Sequence, residues 1–168
     1  NITSGIAKDV VIKHHIFPST EKATVIDDRR IVNNGTTSIK IGISNHPFAD
    51  TTKAGEGVYG SYILETVTYG AGTFELKPGN DLNYAVIYSG RRPCDQPYTY
   101  SPSYEYQKRS ELINNIAQDL VLETPDVVVN KMFDFAKLRV TESIYDTKNG
   151  LMHGPGGGSY YAAIWAND

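Results

Sequence analysis

In several runs within the first ninety or so residues of this chain apolar residues recur at every second position, and from Tyr104 they recur at every third or fourth. Side chains alternate across a strand and repeat about every 3.6 residues around a helix, so the switch of period divides the chain into a β part and an α part. Val10, Ile12 and Ile16 alternate with Val11, Lys13 and Phe17. Ile39, Ile41 and Ile43 alternate with Lys40, Gly42 and Ser44, which predicts one buried face and one wet face. Thr24 to Ile26 and Arg30 to Val32 read as short strands, and Tyr59 to Tyr69 as a long one. Thr73 to Leu76 and Leu82 to Ser89 are two more, the last with Tyr84, Val86 and Tyr88 on one face. The stretch from His46 to Gly57 is looser. Asn33-Asn34-Gly35, Gly70-Ala71-Gly72 and Pro78-Gly79-Asn80-Asp81 supply turns, the first because Asn and Gly tolerate positive φ. Strands at about ten-residue spacing joined by such turns predict an antiparallel β-sandwich over residues 1–90.

Pro93, Pro97 and Pro102 mark a linker, and helical spacing sets in from Tyr104, where Leu112, Ile113, Ile116, Ala117 and Leu120 share a side. Residues 91–123 are therefore read as a linker and linker helix. Thr124-Pro125-Asp126 opens a second helix, with Thr as N-cap, Pro at the first helical position and Asp near the positive end of the dipole. Val129, Phe133, Ala136, Val140 and Ile144 recur at helix intervals, widened by Val128, Met132 and Phe135. A stripe this broad calls for packing on more than one side. Asn149-Gly150 is read as the end of that helix. The fold class is thus mainly β with C-terminal helices. The broad stripe finds few partners inside 168 residues, and the chain starts at Asn1 rather than Met. The expectation is a piece of a longer protein from which a leader has been removed.

Composition narrows the function. Sixteen Lys and Arg against nineteen Asp and Glu give a net charge of -3, which argues against nucleic acid as a partner and against a polybasic membrane-surface protein. No run approaches the roughly 18 apolar residues of a membrane span. The lone Cys94 excludes an intramolecular disulfide and a cysteine-built zinc site. His14 and His15 are neighbours on a strand and point to opposite faces, while His46 and His153 are isolated and loop-borne, so no metal is assigned. The loop Gly154-Pro155-Gly156-Gly157-Gly158 lacks the Lys of a phosphate-binding loop, and Ser159 stands where a dinucleotide fingerprint needs its third glycine. No cofactor is expected. Asp27-Asp28-Arg29-Arg30 is read as a solvated turn between strands. Tyr98, Tyr100, Tyr104 and Tyr106 suit either stacking on sugars or gluing a linker across two domains, and the second is preferred. Asp119, Glu123, Asp126, Asp134, Glu142 and Asp146 lie on or beside helices, where most should face solvent. Only Asp168 sits in an aromatic, nearly uncharged run, where a carboxylate needs a partner if buried.

Two regions carry a family resemblance. Leu122-Glu123-Thr124-Pro125-Asp126, Phe133-Asp134-Phe135-Ala136-Lys137 and Tyr160-Tyr161-Ala162-Ala163-Ile164-Trp165-Ala166-Asn167-Asp168 resemble the opening of the (α/α)6 catalytic domain of six-hairpin glycosidases, the group that includes glucoamylases, α-L-rhamnosidases and debranching-type enzymes. His15-Ile16-Phe17-Pro18-Ser19 and Ile31-Val32-Asn33-Asn34-Gly35 resemble the N-terminal β-sandwich joined to many of them. The resemblance implies that residues 124–168 begin an α/α barrel. It implies that Asp168 binds sugar hydroxyls, that Trp165 is a pocket wall, and that Tyr160, Tyr161 and Asn167 stand beside them. Asn167 occupies a position where glucoamylase-like enzymes usually carry Arg.

Glycoside hydrolysis uses two carboxyl groups at a controlled separation, and in this family they lie further along the barrel, beyond residue 168. The resulting expectation is the N-terminal fragment of a secreted or periplasmic glycoside hydrolase acting on oligo- or polysaccharides. Its partners would be carbohydrate and the remaining C-terminal part of the parent chain, and the fragment alone would be inactive. The alternative is a noncatalytic carbohydrate-binding or cell-surface β-sandwich module. An intact small scaffold protein is disfavoured, because the wide helix face would lack cover.

Overall fold

The computed structural model describes residues 2–57, 59–147 and 150–154. The chain separates into two compact units, Asn1–Arg109 and Ser110–Asp168. The first is antiparallel β structure, built from β1 (Ile2–Ala7), β2 (Val10–Pro18), β3 (Thr24–Asn33), β4 (Ile39–Ile43), β5 (Phe48–Thr51), β6 (Ile63–Tyr69), β7 (Gly72–Leu76) and β8 (Asp81–Arg91). Six of these form one sheet in the order β1-β2-β3-β8-β6-β5, while β4 and β7 leave it and pair with each other. The period-two reading of the first ninety residues holds in this respect.

Register decides which residues share a face. Ile12 lies opposite Ile31 and Ile31 opposite Leu82, whereas Phe17 lies opposite Ile26 and Ile26 opposite Ile87. The two rows differ by an odd number of residues along each strand, so they point to opposite sides of the sheet. Each side has its own small core. On the first face Val10, Ile12 and Ile31 are buried with Leu76, and Ile39, Ile41, Leu82 and Tyr84 pack around them. The β4–β7 pair is what covers that end of the sheet. On the second face Phe17, Ile26, Ala85 and Ile87 are buried with Tyr100, and Tyr69 and Tyr98 pack against them. Here the cover comes from the proline-rich segment after β8. Beyond these ends the first face is bare: Ile16, Val25, Phe48, Leu64 and Tyr88 are exposed.

Four local readings of this unit need correction. Asp27-Asp28-Arg29-Arg30 is not a turn but the middle of β3, which runs unbroken through both of its proposed halves. Opposite charges two residues apart face the same way on a strand, and Arg29 Nε donates to Asp27 Oδ2 at 2.7 Å. The Asn33-Asn34-Gly35 turn forms, yet neither Asn34 nor Gly35 takes a positive φ. The Asn33 side chain closes it instead, accepting from Gly35 N at 3.0 Å. The loose stretch after His46 contains a short edge strand, β5, and the strand expected from Tyr59 begins only at Ile63.

Helix α1 (Pro102–Asp119) starts in the first unit and ends in the second, which also holds α2 (Val127–Glu142), β9 (Ile144–Thr147) and β10 (Gly150–His153). The N-cap of α2 is Asp126, not Thr124: its carboxylate accepts from Val128 N at 2.8 Å and Val129 N at 3.4 Å. Thr124 braces the entry from outside, its N–H donating to Asn130 Oδ1 at 3.0 Å while Asn130 Nδ2 donates to Thr124 O at 3.0 Å. Lys137 Nζ donates to the carbonyls of Ala117 and Leu120, placing a cation on the C-terminal carbonyls of α1. The second helix ends at Glu142, so Ile144 belongs to β9 and His153 to β10 rather than to a helix and a loop. Gly150 opens β10 opposite Thr147 of β9, at φ 101°.

The apolar stripe of α2 splits in two. Phe133, Ala136 and Val140 line a groove of about 420 Å3 with Ile116 and Leu120 of the α1 end. Val128, Met132 and Phe135 are 65%, 66% and 63% exposed. Asp119, Glu123, Asp126, Asp134 and Glu142 are exposed as expected.

Candidate functional site

An open groove of about 520 Å3 crosses the second face of the six-stranded sheet. That volume lies within the range of small-ligand clefts. The topology assembles it from four elements far apart in sequence. His15 on β2 is the register partner of Asp28 on β3, Asp28 that of Ala85 on β8, and Ala85 that of Tyr69 on β6. These four form one row straight across the sheet, all on the same side. Asn83 precedes Ala85 by two residues on β8 and shares that side. Pro102, Ser103 and Tyr106 close the groove from the first turns of α1.

The corner between β6 and β7 depends on Gly70. Its φ is 82°, and a Cβ there would stand 3.2 Å from Tyr84 Cβ and 3.4 Å from Asn83 O. Glycine lets this corner close against β8. On the opposite wall, Tyr106 meets His15 edge-on at 5.0 Å between ring centroids and Phe17 at 5.7 Å. His15 and Phe17 are themselves 5.1 Å apart. This cluster holds the rings as fixed surfaces.

The start of α1 is pinned by a buried carboxylate. Glu105 is 1% exposed, accepts from Ser19 Oγ at 2.6 Å and from Lys22 Nζ at 3.0 Å, and its backbone N–H caps back to Ser101 O at 3.0 Å. Lys22 also donates to Thr99 O at 3.2 Å and lies over the Tyr100 ring, whose hydroxyl pairs with Thr24 Oγ1 at 2.8 Å. The β2–β3 turn thereby fixes the groove wall. Its hydrogen bond to Glu105 raises the Lys22 pKa above the ordinary lysine value, with burial acting the other way.

Asp28 differs from every other acid of the sheet. It is partly buried, and it makes no hydrogen bond or ion pair among the described residues. Burial pushes its pKa above the ordinary aspartate value. His15 opposes that shift and Asp27 adds to it. An ionised Asp28 therefore costs the fold free energy at neutral pH, and that cost disappears as pH falls through its raised pKa. A carboxylate kept partly dry with no donor is short of a partner.

Asp27, its neighbour on the opposite face, is fully engaged. Its carboxylate takes His14 Nδ1 at 3.0 Å and Arg29 Nε at 2.7 Å, and the Arg29 guanidinium lies 5.7 Å from the Tyr84 ring centroid. The two histidines therefore separate as strand geometry requires, His14 to one face and His15 to the other. Among the described residues His14 pairs with this carboxylate and makes no hydrogen bond to a hydroxyl.

The tyrosine set divides its labour. Tyr98 and Tyr100 meet edge-on at 6.0 Å and seal the sheet. Tyr106 faces the groove and is half exposed, while Tyr104 lies apart beneath Lys108. The residues that the family resemblance singled out, Tyr160, Tyr161, Trp165, Asn167 and Asp168, lie outside the described residues, as does the loop 155–159. The sequence reading gave Asp28 to a solvated turn and assigned no site role to Asn83 or Tyr69, because nothing local announces a row that forms only when β8 inserts between β3 and β6. No helix among the described residues is long and apolar enough to cross a membrane. Comparison with known proteins by family model, by sequence and by structure gave no match.

Proposed function

We propose that the β unit binds carbohydrate in the groove on its second face, as the N-terminal part of a secreted or periplasmic glycoside hydrolase. One observation carries the binding role: a partly buried carboxylate with no donor among the described residues, Asp28, lies beside an exposed amide, Asn83, between the rings of Tyr69, Tyr106 and His15. Sugars present apolar C–H faces and dense hydroxyls, and flat rings with planar acceptors complement both. The groove lining holds one carboxylate, whereas glycoside hydrolysis uses two. Its part is to hold saccharide, and the hydrolytic pair belongs to chain beyond residue 168.

Binding is measurable on the 168-residue chain by calorimetry or NMR titration against an oligosaccharide panel. Tyr106→Ala is expected to weaken the best ligand about fivefold, the value of roughly 1 kcal/mol of ring contact. Tyr104→Ala, which removes an exposed ring outside the groove, should leave affinity unchanged. Equal effects of the two substitutions, or no binding by any member of the panel, would remove the groove from the reading.

The hydrolase part of the proposal draws on the helical unit. Helix α2 has a formed N-cap and a bare apolar side at Val128, Met132 and Phe135. Such a surface suits further helices packed in pairs, as at the start of an (α/α)6 barrel. In that arrangement Trp165 and Asp168, with Tyr160, Tyr161 and Asn167, contribute to the sugar pocket. A form extended beyond residue 168 is expected to cleave members of an aryl-glycoside and oligosaccharide panel, and Asp168→Asn in that form should lower turnover at least tenfold, about 1.4 kcal/mol of transition-state stabilisation. Inactivity of the extended form across the panel would leave only the noncatalytic module.

A further inference from the structure

We infer that the groove discriminates among glycans by charge, turning away acidic sugars, and that Asp28 is the residue that does so. The inference rests on the carbohydrate-binding reading and names the ligand class within it. Among the described residues Asp28 is the one acidic side chain in the groove lining, and no Lys or Arg joins it there. Every site for a uronate or sulfate that uses the groove floor must bring a second negative charge against this carboxylate. A hydroxyl has the opposite effect, since it supplies the donor that Asp28 lacks among its described neighbours.

On the same side, one row further along the sheet, lie Lys13 and Arg30, with Asn83 opposite Arg30. Arg30 is committed to Asp81, 2.9 Å away. Lys13 is exposed and acts through solvent, where salt screens it within about 10 Å. His15 faces Asp28 from β2, and Tyr69 and Tyr106 stand at the walls. The first turn of α1 would favour an anion through its dipole, but its first position is Pro102, which has no N–H to offer, and the turn carries Glu105. The partly buried charge at the floor acts through less water than the rim charges and outweighs them.

The test is a glycan array that pairs each neutral oligosaccharide with its uronic or sulfated homologue, run on the 168-residue chain at pH 8, with titrations of the hits. Neutral members are expected to bind at least about tenfold more tightly than their acidic homologues. Asp28→Asn keeps an acceptor and removes the charge. It should raise the affinity for acidic homologues about tenfold while holding the neutral ones within about threefold. Thermal melting of Asp28→Asn should fall no lower than that of the wild type, since the substitution removes a charge that the fold disfavours. Asn83→Ala serves as the comparison, weakening both classes alike and leaving their ratio unchanged. Acidic members bound as tightly as neutral ones, or a ratio untouched by Asp28→Asn, would overturn charge selection while leaving carbohydrate binding intact. Silence from the entire array would overturn the binding reading, and charge selection with it.

Discussion

Glu105→Ala is expected to lower the stability of the β unit by about 2–3 kcal/mol, more than any exposed substitution in the same segment. The carboxylate is 1% exposed and engages two donors from the β2–β3 turn, Ser19 Oγ and Lys22 Nζ. Its removal leaves Ser19 without an acceptor and Lys22 beside an empty space. The figure sits below the 3–5 kcal/mol typical of fully buried pairs, because Lys22 is 24% exposed and can turn towards water. Glu105→Gln keeps one acceptor for Ser19 and should cost less, about 1 kcal/mol. The pH dependence is a second readout. Lys22 has a raised pKa in the folded state, so its contribution is complete below the ordinary lysine value of 10.5 and is lost as pH rises through the raised value. The difference between wild type and Glu105→Ala in urea midpoint should therefore be flat around neutrality and shrink in strong alkali. Since Glu105 also fixes Pro102, Ser103 and Tyr106 at the groove, sugar affinity should fall in parallel. Denaturation curves within 0.5 kcal/mol of each other would show that the start of α1 is held by something else.

Much of the β unit could be read from the chain because its strands obey a local rule. Alternation at Ile39, Ile41 and Ile43 located β4, and the break at Gly70 located the end of β6. What escaped was decided by partners distant in sequence. Asp27 and Asp28 are consecutive and chemically identical, yet one is saturated by His14 and Arg29 and the other faces a groove with no donor among the described residues. A charged quartet inside a strand looks like a turn until its i,i+2 pairing is considered, as Asp27 with Arg29 illustrates. The helix stop at Asn149-Gly150 failed for a related reason. Ile144 fits the helical spacing, but the β-branched and aromatic residues from Ile144 onward favour a strand, and α2 has already ended at Glu142. The groove was hidden most deeply. Its row His15, Asp28, Ala85 and Tyr69 depends on β8 lying between β3 and β6, which strand patterns alone do not order. The candidate sugar residues at the end of the chain came from likeness to a family rather than from any such geometry.

The same dependence on distant partners makes Asn33 the most sensitive polar residue of the first core. It is 1% exposed at the end of β3, where the six-stranded sheet passes to the β4–β7 pair. Its Nδ2 donates to Thr37 O at 2.9 Å and to Leu76 O at 3.0 Å, and its Oδ1 accepts from Gly35 N at 3.0 Å. One side chain thus joins β3, the turn after it and the end of β7. Asn33→Ala orphans two carbonyls and an amide where little water reaches, and is expected to cost about 3 kcal/mol. Asn33→Asp separates hydrogen bonding from shape. The new carboxylate has nearly the same outline but cannot donate while ionised, and its charge would face the oxygens of Thr37 and Leu76. Its loss at neutral pH should be at least as large. Because the fold disfavours the ionised form, that form's pKa is raised, and stability relative to wild type should recover as acid protonates the group and returns one donor. Urea unfolding of both variants at pH 7 and near pH 4 measures this directly. Recovery in acid for Asn33→Asp but not for Asn33→Ala would locate the energy in the two donated bonds. Wild-type midpoints for both would mean that apolar contacts among Val10, Ile31 and Leu76 hold the two sheets together unaided.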